Sequence, residues 1–128
     1  MATNPVNLQI PANSQGVANC VANAAYFQRV TLTWDGNTAV FSGSGEGVAM
    51  TLPSGETTLQ FTPDSAARTV SATFEYSSSG SGGPFSAAAV RDPVVTNKGG
   101  FNVIEVTSED STDNDNNDSY LTIATVAR

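Results

Sequence analysis

Short runs in which apolar and polar residues alternate recur along the whole chain, and turn-forming residues separate them. This pattern constrains the fold more than any single motif, because only a strand sends successive side chains to opposite faces. Val6-Asn7-Leu8-Gln9-Ile10 alternates strictly. Residues 29–34 do the same, with Val30, Leu32 and Trp34 on one face. Residues 69–76 set Val70, Ala72, Phe74 and Tyr76 against Thr69, Ser71, Thr73 and Glu75. Shorter candidates lie at 39–41, 48–52, 58–61, 87–90, 101–107 and 120–126. Asp35-Gly36-Asn37 reads as a hairpin turn, since Asp and Gly tolerate positive φ, and turns follow at 53–56 and 62–65. The Ser- and Gly-rich stretch 77–84 is a flexible loop inside one unit, because strand patterns resume at once. Residues 17–26 contain no Pro or Gly and are open to a helix, but Asn19 and Asn23 interrupt them and both flanks look like strands. About nine short strands spaced in this way predict an all-β sandwich or barrel. At 128 residues the chain is expected to be one domain spanning 1–128.

Charge removes whole classes of function. Lys and Arg number 5 against 12 Asp and Glu, for a net charge of −7, and there is no His. A basic footprint for nucleic acid is therefore missing, as is any His-based triad, general base or zinc site. The single cysteine, Cys20, cannot form an internal disulfide and reads as a small buried apolar side chain. No apolar run approaches the ~18 residues that membrane insertion needs. The start, Met1-Ala2-Thr3-Asn4-Pro5, lacks a charged segment and an apolar stretch. Cytoplasmic synthesis without a signal peptide is the expectation, with release or surface display by another route.

The chemistry concentrates between 108 and 118. Glu109, Asp110, Asp113, Asp115 and Asp118 put five of the twelve acids within ten residues, with no base among them and Asn114, Asn116 and Asn117 interspersed. Folded between two strands, these charges repel and each resists ionisation. A hard cation relieves that: Ca²⁺ takes six to eight oxygens from carboxylates, amides and backbone carbonyls. The same composition also suits a solvated loop. An EF-hand does not fit. Counting from Asp113, the sixth position needs Gly and is Asp118, and the twelfth needs Glu and is Ala124.

Glu109-Asp110-Ser111-Thr112-Asp113-Asn114-Asp115-Asn116-Asn117-Asp118 resembles the signature loop of the small two-calcium bacterial lectins that bind fucose and mannose. Ile10-Pro11-Ala12-Asn13, with Asn23 ten residues further on, agrees with that family, and so does the ten-residue tail after Asp118. The resemblance implies a nine-stranded antiparallel β-sandwich carrying two adjacent Ca²⁺ ions per subunit. Glu109, Asp113, Asp115 and Asp118 would hold one ion; Asn23, Asp115, Asn117 and Asp118 would hold the other. The terminal carboxylate of Arg128 would enter the partner subunit's site, in a homodimer or homotetramer. Asp110 would accept a hydrogen bond from a sugar hydroxyl, and Ala24-Ala25-Tyr26 would occupy the loop that tunes sugar preference. Alanine at 24 and 25 goes with mannose over fucose in that family, so mannose- or fucose-containing glycans are the implied partners. Ser111 and Arg128 stand where the family usually has Gly.

The remaining candidates have plainer readings. Trp34, on the apolar face of its strand, reads as a core residue rather than a sugar platform. Tyr26 is open between loop packing and a ligand contact. Gly80-Ser81-Gly82-Gly83 is no phosphate loop, since no Lys-Ser or Lys-Thr follows it. A hydrolase needs two carboxylates flanking a cleft, whereas these acids are crowded together and lack a base or nucleophile. Two classes stay open: a calcium-dependent sugar-binding lectin, and a calcium-stabilised structural or adhesion β-sandwich that binds no sugar.

Overall fold

The structure, a computed structural model, describes residues 1–110 and 118–127. Its elements are strands: β1 (Val6–Ile10), β2 (Ser14–Trp34), β3 (Asn37–Ala49), β4 (Leu59–Asp64), β5 (Arg68–Ser77), β6 (Ser86–Ala87), β7 (Ala89–Val90), β8 (Val94–Lys98), β9 (Phe101–Glu109) and β10 (Ser119–Ala127). Pairing is antiparallel throughout, in the order β1-β5-β2-β10-β9-β7, with β3 and β4 beside β2, β6 beside β5 and β8 beside β9. The all-β expectation holds.

Strand β2 organises the rest. It runs for 21 residues. Its first half pairs with β10 on one side and β4 on the other; its second half pairs with β5 and β3. The sheet therefore continues through β2 into two halves that close on one core. Ala18, Cys20, Ile104, Val106, Leu121 and Ile123 from one half join Leu8, Val30, Leu32, Val70, Ala72 and Phe74 from the other in a single buried cluster. The helical option over 17–26 loses because both edges of this stretch find backbone partners in neighbouring strands. Its inward residues Ala18, Cys20, Ala22 and Ala24 are small and buried, with Asn19, Val21 and Asn23 facing the other way.

The period-2 readings are met where one face is buried. β1 buries Val6, Leu8 and Ile10, and β5 buries Val70, Ala72 and Phe74 with Tyr76 packed at the margin. Trp34 packs edge-on against the buried Phe61 ring, with centroids 5.1 Å apart. The Asp35-Gly36 turn takes positive φ at both residues (46° and 77°), as a two-residue hairpin loop requires. Two segments differ from the sequence pattern. The 87–90 run splits into β6 and β7, since β6 pairs with β5 and β7 with β9, so the chain crosses between halves at Ala88. β8 is an additional edge strand whose five residues are all exposed, and a strand with neither face buried has no alternation to read.

At Gly16, β2 and β10 leave no room for a side chain. A Cβ there would lie 2.1 Å from the Ala124 carbonyl oxygen and 2.7 Å from the Thr125 Cα. Both obstacles are backbone, so neither can turn aside. The same β2–β10 register places Ala22 opposite Ser119 and lets the Asn23 N–H donate to the Asp118 carbonyl at 2.9 Å. We expect Gly16→Ala to destabilise the fold by about 1–3 kcal/mol through overpacking, read as a lower midpoint in urea; an unchanged midpoint would contradict this reading of the contact.

Candidate functional site

The alternation that builds β9 and β10 breaks at their shared end. Asn102, Ile104, Val106 and Ser108 point inward on β9, and then Glu109 and Asp110 are buried in succession. On the other strand Asp118 and Ser119 are both buried. The register causes this. Ser108 pairs with Ser119, so Glu109, Asp110 and Asp118 crowd the end of the ladder. The Asp118 N–H donates to the Ser108 carbonyl at 2.9 Å, and the Asp110 N–H donates to Asp118 Oδ2 at 2.8 Å. One carboxylate oxygen from each of Glu109, Asp110 and Asp118 lies within 4.8 Å of the others, at residue exposures of 5%, 6% and 2%.

Three acids so placed cannot all be charged at low cost. Burial pushes the Asp118 carboxyl up to about 8; its hydrogen bond with Glu109 and the negative charge of Asp110 add to this, while the Asp110 N–H pulls the other way. The ion pairs Arg29–Glu75 and amino terminus–Asp92 fall on other carboxylates. The donor set is all oxygen, anionic and preassembled, which fits a hard divalent cation.

Behind the acids stands a residue that periodicity alone did not single out. Gln28 is fully buried. Its Nε2 donates to Asp110 Oδ2 at 2.8 Å and to the Tyr26 carbonyl at 3.1 Å, and its Oε1 accepts from Ser119 Oγ at 2.9 Å. The available signal was an amide in the inward phase of a strand whose neighbours in that phase are Val30 and Leu32. Gln28 brings the 24–26 segment to the acids. There the β2–β3 register slips between Ala24, opposite Gly45, and Gln28, opposite Gly43. Ala25, Tyr26 and Phe27 therefore bulge against the single residue Ser44. Ala24 is buried at 8%, whereas Ala25 is exposed. Tyr26 is 39% exposed and lies parallel to Tyr76, with centroids 5.9 Å apart and planes 8° from coplanar.

Of the residues expected at the site, Glu109, Asp110 and Asp118 come together, Asn23 adjoins Asp118 through its backbone N–H, and Tyr26 is linked to Asp110 through Gln28, with Ala24 and Ala25 preceding it in β2. Asp113, Asp115, Asn117 and Arg128 lie outside the described residues. Cys20 is buried, and burial pushes its thiol well above the usual range, in keeping with an inert core position.

A model of the family described as fucose-binding lectin II (PA-IIL) matches residues 8–127. Among solved structures, the high-affinity mannose-binding lectin of Ralstonia solanacearum is similar at 27% identity and a TM-score of 0.65, covering 92% of this chain and 93% of that one. The Chromobacterium violaceum lectin CV2L, solved in complex with alpha-methyl-fucoside, is similar at 23% identity and a TM-score of 0.66, covering 96% of each chain. The C-terminal domain of the Burkholderia cenocepacia lectin BC2L-C shares 20% identity at a TM-score of 0.62, covering 97% of each. The latter two likenesses are of fold. No curated protein matched in the sequence search.

The raised Asp118 has a testable consequence. In the metal-free chain it keeps its proton up to about pH 8, whereas the ordinary carboxyl loses it near 3.8. The folded state therefore binds more protons across that window. Its stabilising effect is fully present below the lower value and is lost as the pH rises through the upper one. The melting temperature of the chelator-treated protein should fall between about pH 4 and about pH 8, and added Ca²⁺ should restore it at the higher pH. A flat profile would count against a buried protonated Asp118.

Proposed function

The chain belongs to the fucose-binding lectin II (PA-IIL) family, and on that premise we propose that it is a calcium-dependent lectin that prefers mannose-type over fucose-type glycans. Lectins bind sugars without transforming them, and family membership places the chain outside the enzymes. The observation that carries the calcium part is the trio Glu109, Asp110 and Asp118, buried with oxygens within 4.8 Å of one another. Buried like charges persist in a fold when a counter-ion compensates them.

Glu109 and Asp118 would hold the ions, joined by Asp113, Asp115 and Asn117 from the adjoining segment and by Asn23 from β2. The neutral amide of Asn23 adds an oxygen without adding repulsion. When bound, Ca²⁺ supplies exchangeable coordination positions that neighbouring sugar hydroxyls can fill. Asp110 would then accept a hydrogen bond from a sugar hydroxyl at the edge of the acidic group. Ala24 and Ala25 offer no hydroxyl to the ligand, which supports the mannose preference. The Arg128 carboxylate would complete the site of a partner subunit, so a dimer or tetramer is part of this reading. Several weak sites on one assembly would raise affinity for multivalent glycans.

Calorimetric titration with methyl α-mannoside in excess Ca²⁺, repeated after chelation, is the direct test. Binding should be present in the first case, absent in the second, and weaker for methyl α-fucoside. Calcium-dependent melting with no heat from either sugar would instead favour a structural module. Ala24→Ser should move the mannose-to-fucose affinity ratio toward fucose by several-fold, on the order of one hydrogen bond's worth; an unmoved ratio would remove the role of the 24–26 segment in selectivity.

A further inference from the structure

One buried amide ties together parts of the site that come from three strands. Gln28 of β2 has no exposed surface, so its polar atoms are costly unless each finds a partner. They do: Asp110 Oδ2 at 2.8 Å, the Tyr26 carbonyl at 3.1 Å and Ser119 Oγ at 2.9 Å. These three partners differ in kind. Asp110 continues β9 and belongs to the acidic trio. Ser119 opens β10 immediately after Asp118. Tyr26 lies on the bulge of β2, where the pairing with β3 slips.

A bond of this sort to a carboxylate is charge-assisted and short. With Oδ2 held, the plane of the Asp110 carboxylate cannot turn freely, and the direction in which it accepts further hydrogen bonds is set by Gln28. The second Nε2 hydrogen, on the Tyr26 carbonyl, sets the distance between that carboxylate and the bulge. We propose that Gln28 is a positioning residue for ligand selectivity: it orients Asp110 relative to the 24–26 segment, so that the site discriminates between sugars by where their hydroxyls fall. This role rests on the lectin reading above.

A double-mutant cycle tests it. Methyl α-mannoside and methyl α-fucoside are titrated in saturating Ca²⁺ against the unaltered chain, Gln28→Met, Asp110→Ala and the double variant. Met keeps the length of Gln and removes its hydrogen bonds. Gln28→Met is expected to weaken mannoside binding about tenfold and to change the mannoside-to-fucoside ratio. In the Asp110→Ala background the same change should have little effect, since the group it orients is gone. Equal losses in both backgrounds, or equal losses for both sugars, would assign Gln28 a merely structural part and overturn the proposal. Gln28→Glu keeps the acceptor for Ser119 while facing Asp110 with a like charge; it covers the case in which Gln28→Met does not fold. Binding by Gln28→Glu indistinguishable from the unaltered chain would also overturn the proposal. An unaltered chain that binds neither glycoside would remove the lectin reading and this role with it. An unaltered chain that binds, with Gln28→Met unchanged, would remove this role alone.

Discussion

Mutual repulsion among buried carboxylates is the constraint around which this end of the molecule is organised. Glu109, Asp110 and Asp118 are held within 4.8 Å at the end of the β9–β10 ladder, where burial disfavours the ionised form of Asp118. The strands leave them little room to separate. The Asp118 N–H on the Ser108 carbonyl and the Asp110 N–H on the Asp118 carboxylate fix the spacing, and the core behind is already filled by Ile104, Val106, Leu121 and Ile123. The crowding is thus a property of the rigid scaffold. Relief has to come from a proton or from a cation, which is why the same geometry bears on both stability and binding.

The long strand β2 makes that geometry possible. Because it serves both halves of the sheet, one element delivers Asn23 next to Asp118 and Gln28 behind Asp110. The bulge between these two residues lifts Ala25, Tyr26 and Phe27 out of regular pairing with β3, while Phe27 stays in register with Ser77 of β5. A straight strand would have alternated them between core and surface. The irregularity lies beside the acids, where residues 25–27 leave the β3 ladder while Gln28 keeps the segment anchored.

Much of this could be read from the chain before any coordinates. The alternation at Val6, Leu8 and Ile10 and at Val70, Ala72 and Phe74 translated directly into buried faces, because a half-buried strand has no other way to place its apolar residues. The acid run with its interspersed amides marked the end of the β9–β10 ladder at which Glu109, Asp110 and Asp118 cluster. What was not legible has identifiable causes. β8 carries no alternation because neither of its faces is buried. Residues 17–26 looked ambiguous because the inward positions there are Ala and Cys, whose size suits either state; backbone partners on both edges settled them as strand. Gln28 was invisible as a site residue because periodicity ranks side chains by hydrophobicity, and an amide in an inward slot is merely an exception to that ranking.

Composition and order along the chain were enough to establish an acidic all-β protein without His chemistry, with its oxygen donors gathered near the tail and a family resemblance carried by that loop. They were enough because period, turn chemistry and charge density are local properties, and each is expressed within a few residues. The convergence of Gln28, Tyr26, Asp110 and Ser119 is of another kind. Gln28 and Ser119 are 91 positions apart, and these residues meet because antiparallel register and the bulge at 24–28 bring β2, β9 and β10 to one point. Register is a cooperative outcome of packing, so no single segment encodes it, and the site's inner hydrogen bonds came into view only with the folded chain.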